Sequence, residues 1–313
     1  MSLSRRDFIK GALALSSMAT MELSASPLLR SVLREQHSYQ VIYQHPQWYQ
    51  HLLNFMAAQF YLFEDIDIHA KAQTISGEES EEMLVFARLQ ALLAEHPLNL
   101  ALTNQQRFSA WQAHAAELFN QHLGARRVQG YMSIGLPHSD YDPVQNCANI
   151  MGPKVALTNP IAADYLLPNY ATKVGTAGVE ELPLAQLEQL TKHNAGAFDC
   201  VALHQSPERY SSAAFTTLLG NLHHCLSADG ILATRLYDVS APLQSHFAAV
   251  IADWQLLLEG QSWQQALTHR ARQKSLSGWQ TEFAAHGFSE THRVRVNQHA
   301  ALPEYVVFYQ KVS

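Results

Sequence analysis

The residues best placed to do chemistry lie in the run His204-Gln205-Ser206-Pro207-Glu208-Arg209-Tyr210. An imidazole titrates near neutrality, so His204 is a candidate general base, with Glu208 or Tyr210 able to orient a substrate. The competing reading is a histidine that merely ends a strand with its ring hydrogen-bonded; the chain has 17 histidines, so one alone is weakly diagnostic. His138 can be read in the same two ways, as a ligand contact or as part of a turn. Glu64-Asp65-Ile66-Asp67-Ile68-His69 gathers carboxylates and an imidazole that could hold a hard cation, although a solvated turn is the simpler reading. His223 and His224 are neighbours on a helical stretch and diverge by about 100°, so they cannot easily share a metal. Ser206 and Ser211 lack the Gly-x-Ser-x-Gly setting of a hydrolase nucleophile. Cys147, Cys200 and Cys225 form neither a disulfide framework nor a Cys-x-x-Cys pair, and Cys200 reads as core in mid-strand. No metal site is expected.

The elements that must position these groups can be read from periodicity. Residues 26 to about 45 show no strong period and read as a linker. Tyr49, Leu52, Leu53, Met56 and Phe60 follow helical spacing. A helix from about 79 to 95 begins among Glu78, Glu79, Glu81 and Glu82, which read as a solvated first turn, and stops before Pro97. Thr103-x-x-Gln106 opens a third helix running to Gly124. Beyond Gly124 strands and helices alternate. Strands are predicted at 128–134, 155–157, 171–175, 198–203 and 231–236. Helices are predicted from Pro143 to Met151-Gly152-Pro153, over 184–192, over 211–226 and over 242–258. Residues 283–288 read as a helix end, and 291–296 with 305–309 as a closing antiparallel hairpin. The alternation implies a mainly parallel sheet, and such sheets bind ligands beyond the C-terminal ends of their strands, where the strand order reverses. The candidate positions are therefore 135–140, 158–160, 175–178, 204–210 and 237–239.

Composition bounds the rest. The 313 residues are long enough for a substantial core, with 47% hydrophobic and 15% charged residues. A net charge of −6 without a basic run argues against nucleic-acid binding. No stretch approaches about 18 uninterrupted apolar residues, so no transmembrane helix is expected beyond the N-terminal segment. That segment, Ser4-Arg5-Arg6-Asp7-Phe8-Ile9-Lys10 followed by Gly11-Ala12-Leu13-Ala14-Leu15, resembles a bacterial twin-arginine export signal. The resemblance implies the twin-arginine translocase as a partner and delivery of an already folded protein to the periplasm. Leu23-Ser24-Ala25 is an unclear cleavage site, so the segment would remain as an anchor if it is not cut. The expected division is 1–25 signal, 26–104 linker and helical cap, and 105–313 α/β domain.

The order of motifs over about 105–310 resembles a class I S-adenosylmethionine-dependent methyltransferase. Met132-Ser133-Ile134-Gly135-Leu136-Pro137-His138-Ser139 occupies the first strand and glycine loop, and Val155-Ala156-Leu157-Thr158-Asn159-Pro160 the second strand. Glu181-Leu182-Pro183 falls after the third strand, Phe198-Asp199-Cys200-Val201 opens the fourth, and Leu222 to Leu232 spans the helix, turn and fifth strand. Gly287-Phe288 precedes the last hairpin. The resemblance implies an α/β, Rossmann-like, mainly parallel seven-stranded sheet with helices on both faces, preceded by a helical N-terminal segment. It implies S-adenosylmethionine as cofactor, contacted by Gly135, Leu136, His138, Asn159 and Thr176, with His204 and Tyr210 on a small-molecule acceptor. The chain departs from the family's pattern. Pro137 and Ser139 stand at glycine positions, and Ser133 and Asn159 stand where the family has acidic residues. Thr176 or Ala177 stands where an acid lies near the adenine. Three readings follow: an exported small-molecule methyltransferase; a non-catalytic binding or accessory protein that retains the fold without the cofactor site; and a hydrolase or transferase for another ligand in the same crevice.

Overall fold

The structure, a computed structural model, describes residues 37–60, 68–95, 117–119, 121–123, 126–135, 149–158, 179–204, 207–296 and 301–312. The N-terminal signal, the predicted strand at 171–175, the helix start at Pro143 and most of the helix from Thr103 lie outside the described residues. So do Glu64-Asp65-Ile66-Asp67, Leu136, His138, Asn159 and Thr176.

Four helices come first: α1 (Ser38–Gln44), α2 (Pro46–Phe60), α3 (Ile68–Glu78) and α4 (Glu82–Ala94). The α/β part follows as β1 (Arg127–Val128), β2 (Tyr131–Ile134), β3 (Asn149–Ile150), β4 (Lys154–Thr158), β5 (Val179–Pro183), α5 (Leu187–His193) and β6 (Phe198–Leu203). It continues through α6 (Ser212–Cys225), β7 (Leu226–Tyr237), α7 (Pro242–Leu258), α8 (Trp263–Ala271), α9 (Leu276–Ala285), β8 (Phe288–Arg295) and β9 (Glu304–Lys311).

Seven strands form one sheet in the order β5-β4-β2-β6-β7-β9-β8. The five from β5 to β7 are parallel, and β9 pairs antiparallel with both β7 and β8. Strands β2 and β6 are central, and their side chains are buried almost throughout, as parallel strands covered on both faces require. One face carries α6 and α9 through Phe215, Leu219, Leu222, Trp279 and Phe283. The other carries the helical residues Leu118, Phe119 and Leu123 against Tyr131, Cys200, Ala202 and Phe308. This is the expected Rossmann-like class, with helices on both faces.

The third cluster joins α1 to α4 with α7. Phe247, Val250, Trp254 and Leu257 of α7 meet Tyr39, Leu52, Phe86 and Leu89, and Tyr237 at the end of β7 belongs to the same cluster. The linker reading of 26–45 fails from residue 38 onward. Tyr39, Ile42 and Tyr43, at helical spacing, bury their side chains, and the Tyr43 hydroxyl accepts a 3.1 Å hydrogen bond from Trp254 Nε1. The helix has only seven residues, too short a pattern to show a period by itself.

Other expectations change in detail. The helix expected from about 79 starts at Glu82, and Glu82 is not a solvated residue: it pairs with Arg270 and accepts the Ser38 backbone N–H. Residues 149–150 are strand, paired with β1, rather than the end of a helix. The strand expected over 128–134 is broken at Gly130, where a side chain would lie 2.2 Å from the Ala197 carbonyl oxygen. Glu181-Leu182-Pro183 is not a segment after the third strand; it is the edge strand itself. Leu226 already pairs with Phe198 and Ile231 with Cys200, so Ser227 to Gly230 bulge out of the ladder instead of preceding the strand. Asp199 holds this lower edge, accepting 2.8 Å and 2.9 Å hydrogen bonds from the Gln129 N–H and the Ser227 hydroxyl.

Candidate functional site

The chain leaves β2 for β4 and β5 on one side, then returns to β6 and β7 on the other. The reversal lies between β2 and β6, with Ile134 opposite Leu203 in the register. Side by side beyond these two residues stand Gly135 and His204, and the His204 N–H donates to the Ile134 carbonyl at 3.0 Å. Gly135 turns the chain with φ of 92°, a conformation that side-chain-bearing residues rarely adopt, while its N–H donates to the Leu157 carbonyl at 2.9 Å. A bare backbone at the switch point suits close approach of a ligand. Just before it, Ser133 is buried in β2 with a neutral hydroxyl.

His204 is half-buried, its ring edge-on to Phe119 at 6.0 Å. Tyr210 sits against the other face of the sheet, its ring 6.1 Å from Phe215. Burial raises the Tyr210 phenol well above the ordinary tyrosine range, with Arg209 pulling weakly the other way, so it stays protonated and can act only as a hydroxyl. The structure therefore places His204 at the switch point and Tyr210 beyond the short 3-10 turn Pro207–Arg209, with their ring contacts on opposite faces. Glu208 on that turn is buried. Arg209 anchors the turn to the end of α7 through a two-pronged pair with Glu259, at 2.5 Å and 2.7 Å.

The rim beyond β7 is fixed in a similar way. Asp238 N–H donates to the Pro303 carbonyl at 2.9 Å, and the Asp238 carboxylate accepts the Leu276 N–H at 2.8 Å, at the start of α9. Beneath α7 and α8 a small cavity opens, with about 10 Å³ of room for the centre of a water molecule. Its wall includes Glu208, Tyr237, Gln255, His269, Gln273 and Trp279. His269 is 2% exposed, and burial, with Arg209 and Arg270 nearby, holds its imidazole neutral well below the ordinary histidine range. Lys274, also on the wall, is taken up by Glu282 at 2.7 Å.

Sequence reading missed Gln255 on α7, His269 on α8 and Gln273 just beyond α8, because a lone polar side chain carries no period that tells which way it faces. For α8 the available signal was its start: Ser262 and Gln265 form a capping box in which the Gln265 side-chain amide oxygen, Oε1, accepts the Ser262 N–H at 2.8 Å. Among the described residues no group of three or more His, Cys, Asp or Glu could hold a metal ion. No described helix is long and apolar enough to cross a membrane.

No family model matches the sequence, and no curated protein matches it. Solved structures do. One is a Burkholderia thailandensis 1,6-didemethyltoxoflavin-N1-methyltransferase with bound S-adenosylhomocysteine, 13% identical over 72% of this chain and 88% of that one, TM-score 0.42. Another is human N-acetylserotonin methyltransferase in complex with SAM, 8% identical over 84% and 70%, TM-score 0.44. A third is a possible exported protein from Bordetella parapertussis, 15% identical over 93% and 100%, TM-score 0.42. By its own sheet order and switch point, this chain is a Rossmann-like α/β protein with a mainly parallel seven-stranded sheet.

Proposed function

We propose that the protein transfers a methyl group from S-adenosylmethionine to a small molecule in the crevice beyond β2 and β6. The observation that carries this reading is Gly135, turned at positive φ where the strand order reverses. The cofactor supplies an electrophilic methyl group when bound. Gly135 would let it approach the backbone, with Leu136, His138, Asn159 and Thr176 as further contacts. Methyl transfer asks the protein mainly to align the acceptor with the methyl group and, where the acceptor must lose a proton, to receive it. His204 Nδ1 or Nε2 would take that proton; Tyr210, packed against Phe215 on the opposite face, is not placed to share the acceptor with it. The experiment is a thermal-shift titration of the full chain: ligand at 100 times its Kd adds about 2.7 kcal/mol of stability. A shift with S-adenosylmethionine and S-adenosylhomocysteine supports the reading, and none at millimolar ligand removes it.

A second reading is a non-catalytic binding or accessory protein. Pro137 and Ser139, which follow Gly135 in the sequence, and the neutral Ser133 in β2, favour it, since a proline removes a backbone donor and fixes φ. Under that reading Pro137→Gly with Ser139→Gly creates cofactor binding that the native chain lacks. The N-terminal pattern supports, under either reading, export of the folded protein by the twin-arginine translocase to the periplasm, with a bound ligand able to travel with it.

A further inference from the structure

We propose that His122 and His292 form a pH-sensitive clasp, closed at neutral pH and loosened by acid, that holds the helical residues around Phe119 on the antiparallel end of the sheet. The device does not depend on methyl transfer. The two imidazole rings lie 4.8 Å apart with 8° between their planes. Phe308 of β9 completes a three-ring cluster, its ring 4.0 Å from His122 and 6.1 Å from His292. His122 is half-buried on the helical stretch, and His292 is exposed on the edge strand β8. Three positions before His122, Phe119 packs on the same Phe308 at 5.8 Å and on His204 at 6.0 Å. Whatever holds His122 in place therefore also holds the ring that lies beside His204 at the switch point.

Neutral imidazoles stack as aromatic rings, whereas protonated ones set two like charges face to face. Arg126 adds a third positive charge near His122. Among the described residues neither imidazole has a carboxylate partner, because the acids around this corner are engaged or turned away. Asp229, exposed in the bulge of β7, receives Gln310 Nε2 of β9 at 3.5 Å, and its backbone carbonyl takes Arg126 Nη2 at 2.7 Å. Glu290 lies toward the opposite face, with Arg293 and with Gln280 of α9. Glu117, five positions before His122, points about 140° round the helix from it. The other cations point elsewhere: Arg295 alternates to the face of Arg293, Lys311 reaches the Leu226 carbonyl, Arg127 of β1 is exposed opposite the buried Val128, and Arg235 of β7 is paired with Glu304. Burial first, then His292 and Arg126, hold the His122 imidazole below the ordinary histidine range. A released helix restores the ordinary value of about 6.5, so docking is fully present above that pH and weakens as pH falls below it.

The test follows amide hydrogen exchange of the full chain at pH 7.5 and pH 5, without S-adenosylmethionine. Rates are divided by those of an unstructured chain at each pH. Residues 117–123 are compared with β6, whose exchange reports the sheet as a whole. The clasp predicts that protection of 117–123 falls at least about tenfold more than that of β6, the change that one unit of pKa depression gives. It also predicts that His122→Phe, which keeps an aromatic ring but takes up no proton, removes this difference. Equal pH dependence in the two segments, or an undiminished difference in His122→Phe, overturns it. If His122→Phe does not fold, His292→Phe serves in its place: the difference should shrink, and an unchanged difference overturns the clasp. Exchange is read without any ligand, so this result and the S-adenosylhomocysteine measurement can fail separately.

Discussion

At the scale of single residues, two positions separate backbone geometry from chemistry. Gly135 is required by its φ, so Gly135→Val introduces a strain of about 1–2 kcal/mol, seen as a lower urea midpoint, and a side chain in the crevice. His204→Asn tests the proton acceptor instead. If methyl transfer is established, it lowers turnover by about 10²–10⁴-fold while S-adenosylhomocysteine affinity stays unchanged. His269 gives a pH signature. Its folded-state pKa is depressed, so below the ordinary histidine pKa of about 6.5 the unfolded chain binds a proton that the folded chain does not. Stability is therefore fully present above that value and falls on acidification. The His269 contribution approaches about 1.4 kcal/mol per pH unit. Urea unfolding between pH 7.5 and 5 checks this, and His269→Phe should flatten that limb of the profile.

At the scale of elements, the strands and long helices of the α/β part were legible because their signals are local and repeated. Phe198–Leu203 is an apolar run bounded by turn residues, and α7 spans Pro242 to Leu258 as its pattern indicates, with proline at the first helical position. What was illegible depends on partners distant in sequence. Glu82 reads as one of several surface glutamates until Arg270, far along the chain, arrives beside it. Arg270 also pairs with the fully buried Asp253 and lies 4.8 Å over the Trp263 ring, so one guanidinium joins α4, α7 and α8. Burial pushes the Asp253 carboxyl up even though Arg270 opposes it, which shows how strongly this joint depends on its cation. Arg270→Met leaves that carboxylate buried without its partner and should cost about 3–5 kcal/mol. Chemical denaturation measures it, and Arg270→Met with Asp253→Leu should recover part of the loss. The candidate site was legible in the same uneven way: strand ends flagged Gly135 and His204, whereas the cavity needed α8 folded back beside the turn after β6.

At the scale of the molecule, the helices α1 to α4 are not a detached module. They share a buried cluster with α7 and with Tyr237 at the crevice edge of β7. A helical layer fixed there ties α1 to α4 to the C-terminal end of β7, and α7 is the element common to both. The proposed export route also belongs to this scale, since a twin-arginine system takes the assembled molecule. Arg5→Lys with Arg6→Lys should leave the protein in the cytoplasm, folded and full-length. Fractionation checks this, and unchanged periplasmic delivery would overturn the assignment.

The central claim is that a nucleoside cofactor rests on the turn after β2. Calorimetric titration of S-adenosylhomocysteine into the native chain and into Gly135→Val tests it most directly. The account predicts saturable binding to the native chain and at least about tenfold weaker binding to a variant that still folds. Absence of heat with the native chain at millimolar ligand, or equal affinity in both, would contradict it.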